Sequence, residues 1–168
     1  MKLRVKTEAQ IGAEELKEML EHGDLAVGDE LEIDGGYWRV LKIDGKKALI
    51  WKHTGLETTT VFNKNGSNEY EGSDLQKVCQ KMEVPEELKD LITDEGFFPL
   101  STEEIDKLLP TEYDRIATDS KGYTVWWWTR SAYRGYGLSA WSVAPSGGVY
   151  GSRAASSSFT VAPACAIC

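Results

Sequence analysis

Cys165 and Cys168 stand in a C-x-x-C spacing, the arrangement used in thiol–disulfide exchange and in half of a tetrahedral zinc site. No second pair or neighbouring histidine completes a metal set. The third cysteine, Cys79, leaves an odd number and no disulfide framework. The spacing is read as two free thiols. His22 and His53 lie far apart, and no serine or cysteine has an evident base beside it, so nucleophilic catalysis is not indicated. The stretch Asn63, Asn65, Asn68, Glu69, Glu71 and Asp74 is rich in oxygen ligands that suit Ca²⁺. It lacks the alternating acidic spacing of an EF-hand, and a solvated loop is the favoured reading. No catalytic residue, metal or cofactor is assigned.

Recognition chemistry has a clearer signature. Residues 126–168 read WWWTRSAYRGYGLSAWSVAPSGGVYGSRAASSSFTVAPACAIC, with no Asp, Glu, Lys, His, Asn, Gln or Met. Their only charges are Arg130, Arg134 and Arg153. Of the chain's net −8, the first 125 residues therefore carry −11 against +3 in this segment. Tyr and Trp supply large contact area at low entropic cost, while Ser and Gly supply adaptable polar contact. Such a segment points to a binding surface before a catalytic one.

The totals bound the rest. A chain of 168 residues suits one domain. An acidic balance excludes a nucleic-acid partner, because phosphate binding needs a basic face. No apolar run reaches the roughly 18–20 residues of a membrane span. The N-terminal MKLRVKTEAQ has no apolar core or cleavage site, so no signal peptide is expected. Synthesis in the cytosol follows, with incorporation into a virion or display on a surface as the route to a partner.

Elements that would position the segment can be read along the chain. Residues 2–6 alternate like an edge strand, and 11–22 space their apolar residues as a helix ending at Gly23. Strands are expected at 31–33, 37–43 and 47–51, turning at Asp34-Gly35-Gly36 and Asp44-Gly45. Residues 62–73 form a polar loop, and Ser73 caps a helix to about Met82. Pro85 opens a helix over 85–92, and 97–100 is a short strand. Ser101 and Glu104 form a capping box for a helix over 102–109. Strands at 126–130, 140–144, 148–151 and 161–167 end the chain. The class is α+β, with short helices in the middle and a small β-region at the C-terminus.

Several motifs in order carry a resemblance: WRVLKIDGKKAL from Trp38 to Leu49, GSDL from Gly72 to Leu75, FPLSTEE from Phe98 to Glu104, then WWWTRS, SGGV at 146–149 and VAPA at 161–164. They resemble those of an uncharacterised bacterial and phage domain family with a C-type-lectin-like fold, related to the formylglycine-generating-enzyme architecture. The likeness spans about residue 31 onward, leaving 1–30 as a strand and helix within or appended to that domain. The last segment is similar to the variable region of target proteins of diversity-generating retroelements. Those elements randomise template adenines, typically at AAY codons, which cannot yield Lys, Glu, Gln, Met or Trp.

What the resemblance implies is a ligand-binding protein, for receptor recognition or display, with a candidate variable region over 132–160. The implied contact positions are Ala132, Tyr133, Arg134, Tyr136, Leu138, Ser142, Ala144, Tyr150, Ser152, Arg153, Ser157, Phe159 and Thr160. Framework positions include Trp127, Trp128, Thr129, Arg130 and Ser131; Trp141 departs from the codon rule and is taken as framework. The partner is a protein or cell-surface ligand. The alternatives are a fixed carbohydrate- or protein-binding module, or an enzyme of the formylglycine-generating type. The enzymatic relatives of that architecture use a cysteine pair or a histidine-rich iron site, and neither pattern stands at matching positions, so the fold analogy carries no activity.

Overall fold

The computed structural model describes residues 11–168, and the strand expected at 2–6 lies outside them. Among the described residues, two five-stranded sheets and three short helices make an α+β fold. Helix α1 (Ala13–Glu21) forms as the apolar spacing requires, and Gly23 follows it at φ +69°. Leu16 and Leu20 bury against the first sheet's core, and the Ile11 N–H donates to Glu32 O at 3.1 Å. This leading segment therefore shares the domain's core.

The first sheet begins with β1 (Glu30–Ile33), β2 (Gly36–Asp44) and β3 (Lys47–Lys52), successive antiparallel hairpins. Between β1 and β2 the turn residues Asp34 and Gly35 both have positive φ, +48° and +77°, the geometry a tight hairpin needs. Helix α2 (Asp74–Lys81) is capped by the Ser73 side chain, which accepts from Gln76 N at 3.0 Å. After β5 (Phe98–Pro99), helix α3 (Thr102–Leu108) starts on the expected capping box.

The expected helix over 85–92 is only a 3-10 turn at Glu86–Leu88. Its continuation is drawn out of helical form by backbone pairing with the chain's last strand: Thr93 N donates to Ala166 O and Cys168 N to Leu91 O.

The second sheet runs β4 (Thr59–Val61), β9 (Ser158–Thr160), β6 (Trp127–Ala132), β7 (Ser139–Val143) and β8 (Val149–Arg153). Here the β-region departs from expectation. It is not a separate C-terminal unit, because β4 comes from the first half of the chain and β10 (Pro163–Ile167) inserts into the first sheet between β3 and β5.

Consecutive residues of a strand face opposite ways, and β6 uses this to join two cores. Trp128 belongs to one core cluster with Val40, Ile50, Phe62 and Leu75, whereas Trp127 belongs to the other with Trp51, Ile105, Val143 and Ala164. Both indoles are fully buried with their N–H satisfied: Trp127 Nε1 donates to Arg115 O at 3.0 Å and Trp128 Nε1 to Thr60 O at 2.9 Å. In the SGGV turn, Gly147 sits at φ +92° with its Cα against the Glu112 carbonyl, leaving no room for a Cβ. No described helix is long and apolar enough to cross a membrane.

Candidate ligand-binding face

The motif Trp128-Thr129-Arg130-Ser131 fixes the base of the face. Thr129 Oγ1 donates to Trp141 O at 2.8 Å, tying β6 to β7 where their register shifts. Arg130 Nη1 donates to Pro99 O and Glu104 Oε1, both at 2.6 Å, with its guanidinium over the Phe98 ring. The same Glu104 oxygen accepts Ser101 N, so Arg130 is bolted to the α3 capping box. Ser131 Oγ accepts the Thr102 N–H at 3.0 Å, supplying a partner for one orphan donor of that helix.

Beyond this base, residues 133–139 form the tip between β6 and β7. The tip is held by backbone groups. Tyr133 N donates to Ser139 O, Ser139 N to Tyr136 O, and Ala154 N to Leu138 O. Asn68, in the 62–73 loop, completes the frame. Its backbone N–H donates to Gly137 O, and its side-chain amide lies 2.9 Å from Ser139 O, 3.1 Å from Tyr136 O and 3.4 Å from Tyr133 O. Two N–H groups are thus shared among three carbonyls, none of which depends on the tip's side chains.

Asn68→Ala is expected to cost about 1–2 kcal/mol and to speed hydrogen exchange at the Tyr133 and Ser139 amides. Unchanged protection at those amides would rule out the clamp. Asn68→Asp, which turns donors into charged acceptors facing carbonyls, is expected to cost more.

The expected contact residues divide between two faces. Trp128, Ser142 and Tyr150 align across β6, β7 and β8, while Trp141 and Gly151 form the adjacent pair, pointing the other way. On the first side, the Phe159 ring stacks on Trp126 at 5.1 Å between centroids and 16° between planes; Tyr150 lies 6.0 Å from Trp126. Tyr150 is 53% exposed and Trp126 36%.

On the second side, the Tyr133 ring lies on Gly151, where a Cβ would collide with it, and packs 4.4 Å from Trp141 and 5.3 Å from Tyr136. Tyr136 is 65% and Leu138 57% exposed, and Arg134 and Arg153 are exposed beside them. Ala132 is exposed, and Ser152 and Ser157 are half-buried.

Ser142, Ala144 and Thr160 are corrected: all three are buried and present nothing to a partner. Ser142 Oγ is spent on Tyr150 O and Ser152 Oγ, both at 3.0 Å. Trp126 and Trp141, outside the expected contact set, both contribute ring surface. Residue type alone gives no sign of which face of a small sheet an aromatic takes. Asn68 had no signal at all beyond its place in a polar loop.

The other chemical candidates resolve into structure. In the oxygen-rich loop, Asn63 Oδ1 accepts Asn65 N, Asn65 Oδ1 accepts Ser67 N, and Asp74 Oδ2 accepts Lys64 N. These oxygens shape turns. No group of three or more His, Cys, Asp and Glu side chains suited to a metal occurs among the described residues.

All three cysteines are free. Cys165 and Cys79 are buried, and burial pushes each thiol up to about 12, although a hydrogen bond with Tyr70 pulls Cys79 the other way. Cys168 is exposed. Iodoacetamide at neutral pH is accordingly expected to modify Cys168 alone in the native protein and all three in urea. Mass spectrometry showing Cys165 or Cys79 modified as fast as Cys168 would contradict this burial.

His53 and Glu30 do meet, but inside the molecule. His53 Nε2 lies 2.7 Å from Glu30 Oε2, and Arg39 Nε donates to Glu30 Oε1 at 2.8 Å. Arg39 also donates to Asp114 O at 2.8 Å and lies over the Trp51 ring. The cluster braces the first three strands against the turn at Tyr113–Arg115, remote in sequence from the tip.

No curated protein and no solved structure matches this chain. Residues 86–168, just under half its length, match a family described as a domain of unknown function (DUF6273), a span that takes in β5, α3 and β6 to β10.

Proposed function

We propose that this protein is a ligand-recognition module with a C-type-lectin-like fold, whose second sheet presents a diversified surface to a protein or cell-surface partner. The α+β build, with two small sheets and short helices, supports the fold. One observation carries the function. A segment free of acidic residues and rich in Tyr, Ser, Gly and Arg folds into strands that leave Tyr136, Leu138 and Tyr150 largely exposed, over a backbone frame held by Asn68. Exposed Tyr and Arg on a rigid support are favoured binding anchors. The mechanism is contact rather than bond chemistry, and virion association or surface display would bring the face to its partner.

Diversification by a retroelement makes a positional claim that sequencing tests. Across independent isolates of the source population, substitutions are expected at exposed positions such as Arg134, Tyr136, Leu138, Tyr150 and Arg153. They should be rare at the buried Ser142, Ala144 and Thr160. Variation spread evenly along the chain would remove the retroelement reading.

A fixed binding module is the second reading, and Trp126 favours it. Its ring, stacked on Phe159 and partly open to solvent, is a platform outside the codon set that adenine randomisation reaches. Glycan-array binding abolished by Trp126→Ala would select that reading.

A further inference from the structure

We infer that the partner of the tip face is an acidic protein segment, held through Arg134 and Arg153. This rests on the recognition reading above and specifies the chemistry of the partner.

The arginines of the described chain fall into two groups. Arg39 pairs with Glu30, Arg115 with Asp106, and Arg130 with Glu104; each also donates to a backbone carbonyl. Arg134 and Arg153 form no ion pair and no side-chain hydrogen bond among the described residues. Both are exposed, and both border the tip. Arg134 lies in the tip next to Tyr133, and Arg153 pairs in register with Ser139 at the tip's far end. By the strand's alternation Arg153 shares the side of Gly151 and Trp141, where the Tyr133 and Tyr136 rings lie.

Both stay unpaired although the chain has 27 Asp and Glu against 19 Lys and Arg. Among the described residues, the fold supplies carboxylates to the other three arginines and none to these two. Glu69, one residue from the Asn68 clamp, is exposed and pairs with neither. The missing acceptors come from the partner. A guanidinium matches a carboxylate through two parallel N–H donors, and the flanking tyrosine rings exclude water around that contact.

Charge also selects among polyanions. Two arginines are too few to neutralise a phosphate backbone, and a polyanion longer than this patch also meets the −11 carried by residues 1–125. A short acidic peptide meets only the local field, because charges beyond about 8–10 Å are screened at physiological salt. The acidic body then disfavours every other approach and fixes the orientation of docking.

The test uses the full chain, immobilised, and a random peptide library displayed on phage. Enriched peptides are expected to carry Asp and Glu well above the library frequency. For a synthetic peptide from that set, Arg134→Ala and Arg153→Ala should each weaken binding about tenfold, with the thermal midpoint unchanged because neither side chain has a partner in the fold. The peptide's own Asp→Asn and Glu→Gln version should lose binding to a similar degree, and so should raised salt. Enriched peptides without acidic excess that still lose binding on Tyr136→Ala would overturn the acidic partner and leave the face standing. Peptides indifferent to both arginines and to Tyr136, or no enrichment, would overturn the face as well.

Discussion

Trp128→Ala is expected to lower the free energy of unfolding by about 3–5 kcal/mol, the usual range for emptying a large aromatic from a core. Trp128 is fully buried at the junction of sheet and core, edge-on to Phe62 at 5.4 Å and 4.7 Å from Phe159. Truncation opens a cavity and also removes the indole N–H that donates to the Thr60 carbonyl. The consequence reaches the surface, because Phe159 is the ring on which Trp126 stacks.

Trp128→Ala should therefore disorder the Trp126–Phe159–Tyr150 strip while sparing the Tyr133–Tyr136–Trp141 cluster on the other side. Urea unfolding followed by circular dichroism gives the stability, and hydrogen exchange at 158–160 against 133–139 gives the localisation. Trp126→Ala, which removes a partly exposed ring, should cost far less. A loss for Trp128→Ala comparable to that of Trp126→Ala would mean that Trp128 does not join the strip to the core.

Local chemistry was the readable part of this fold. Asp34-Gly35-Gly36 specified a hairpin, Ser73 a helix start, and Ser101 with Glu104 a capping box, because each acts within a few residues of itself. The strands Thr59–Val61 and Ser158–Thr160 were not readable. Three residues are too short to show a period, and their pairing with each other spans about a hundred residues of chain. The helix expected over 85–92 failed for a related reason, since its competitor is a strand at the far end of the molecule.

At the candidate face, the resemblance put Tyr136, Leu138, Tyr150 and both arginines among the contact positions, and these side chains are exposed. It misplaced Ser142, Ala144 and Thr160, whose burial depends on strand register. Asn68 was beyond reach in principle. Its acceptors are backbone carbonyls 65 to 71 residues away, and carbonyls leave no trace in residue identity.

Glu30→Gln is expected to destabilise the protein by about 3 kcal/mol at neutral pH, since removing one partner leaves the other's buried charge uncompensated. Glu30 is buried, and its two oxygens are shared between Arg39 and His53. Burial alone pushes its carboxyl up. The hydrogen bond and charge of His53, then those of Arg39, outweigh it and hold the carboxyl below its ordinary value.

The sign of the pH dependence follows from that depression. A carboxyl that is more acidic folded than unfolded contributes stability above its unfolded value near about 4.3. That contribution is lost as pH falls through the folded value. Wild type and Glu30→Gln should therefore differ most near neutrality and converge on acidification, because a protonated Glu30 is as uncharged as glutamine. The other acidic residues titrate in both proteins, so the difference between the two stability curves isolates Glu30 together with the His53 and Arg39 groups it pairs with. Urea unfolding at a series of pH values from neutral to acid measures it. A gap constant with pH would mean that Glu30 contributes by shape and hydrogen bonding alone, and that its charge does nothing to brace the first three strands.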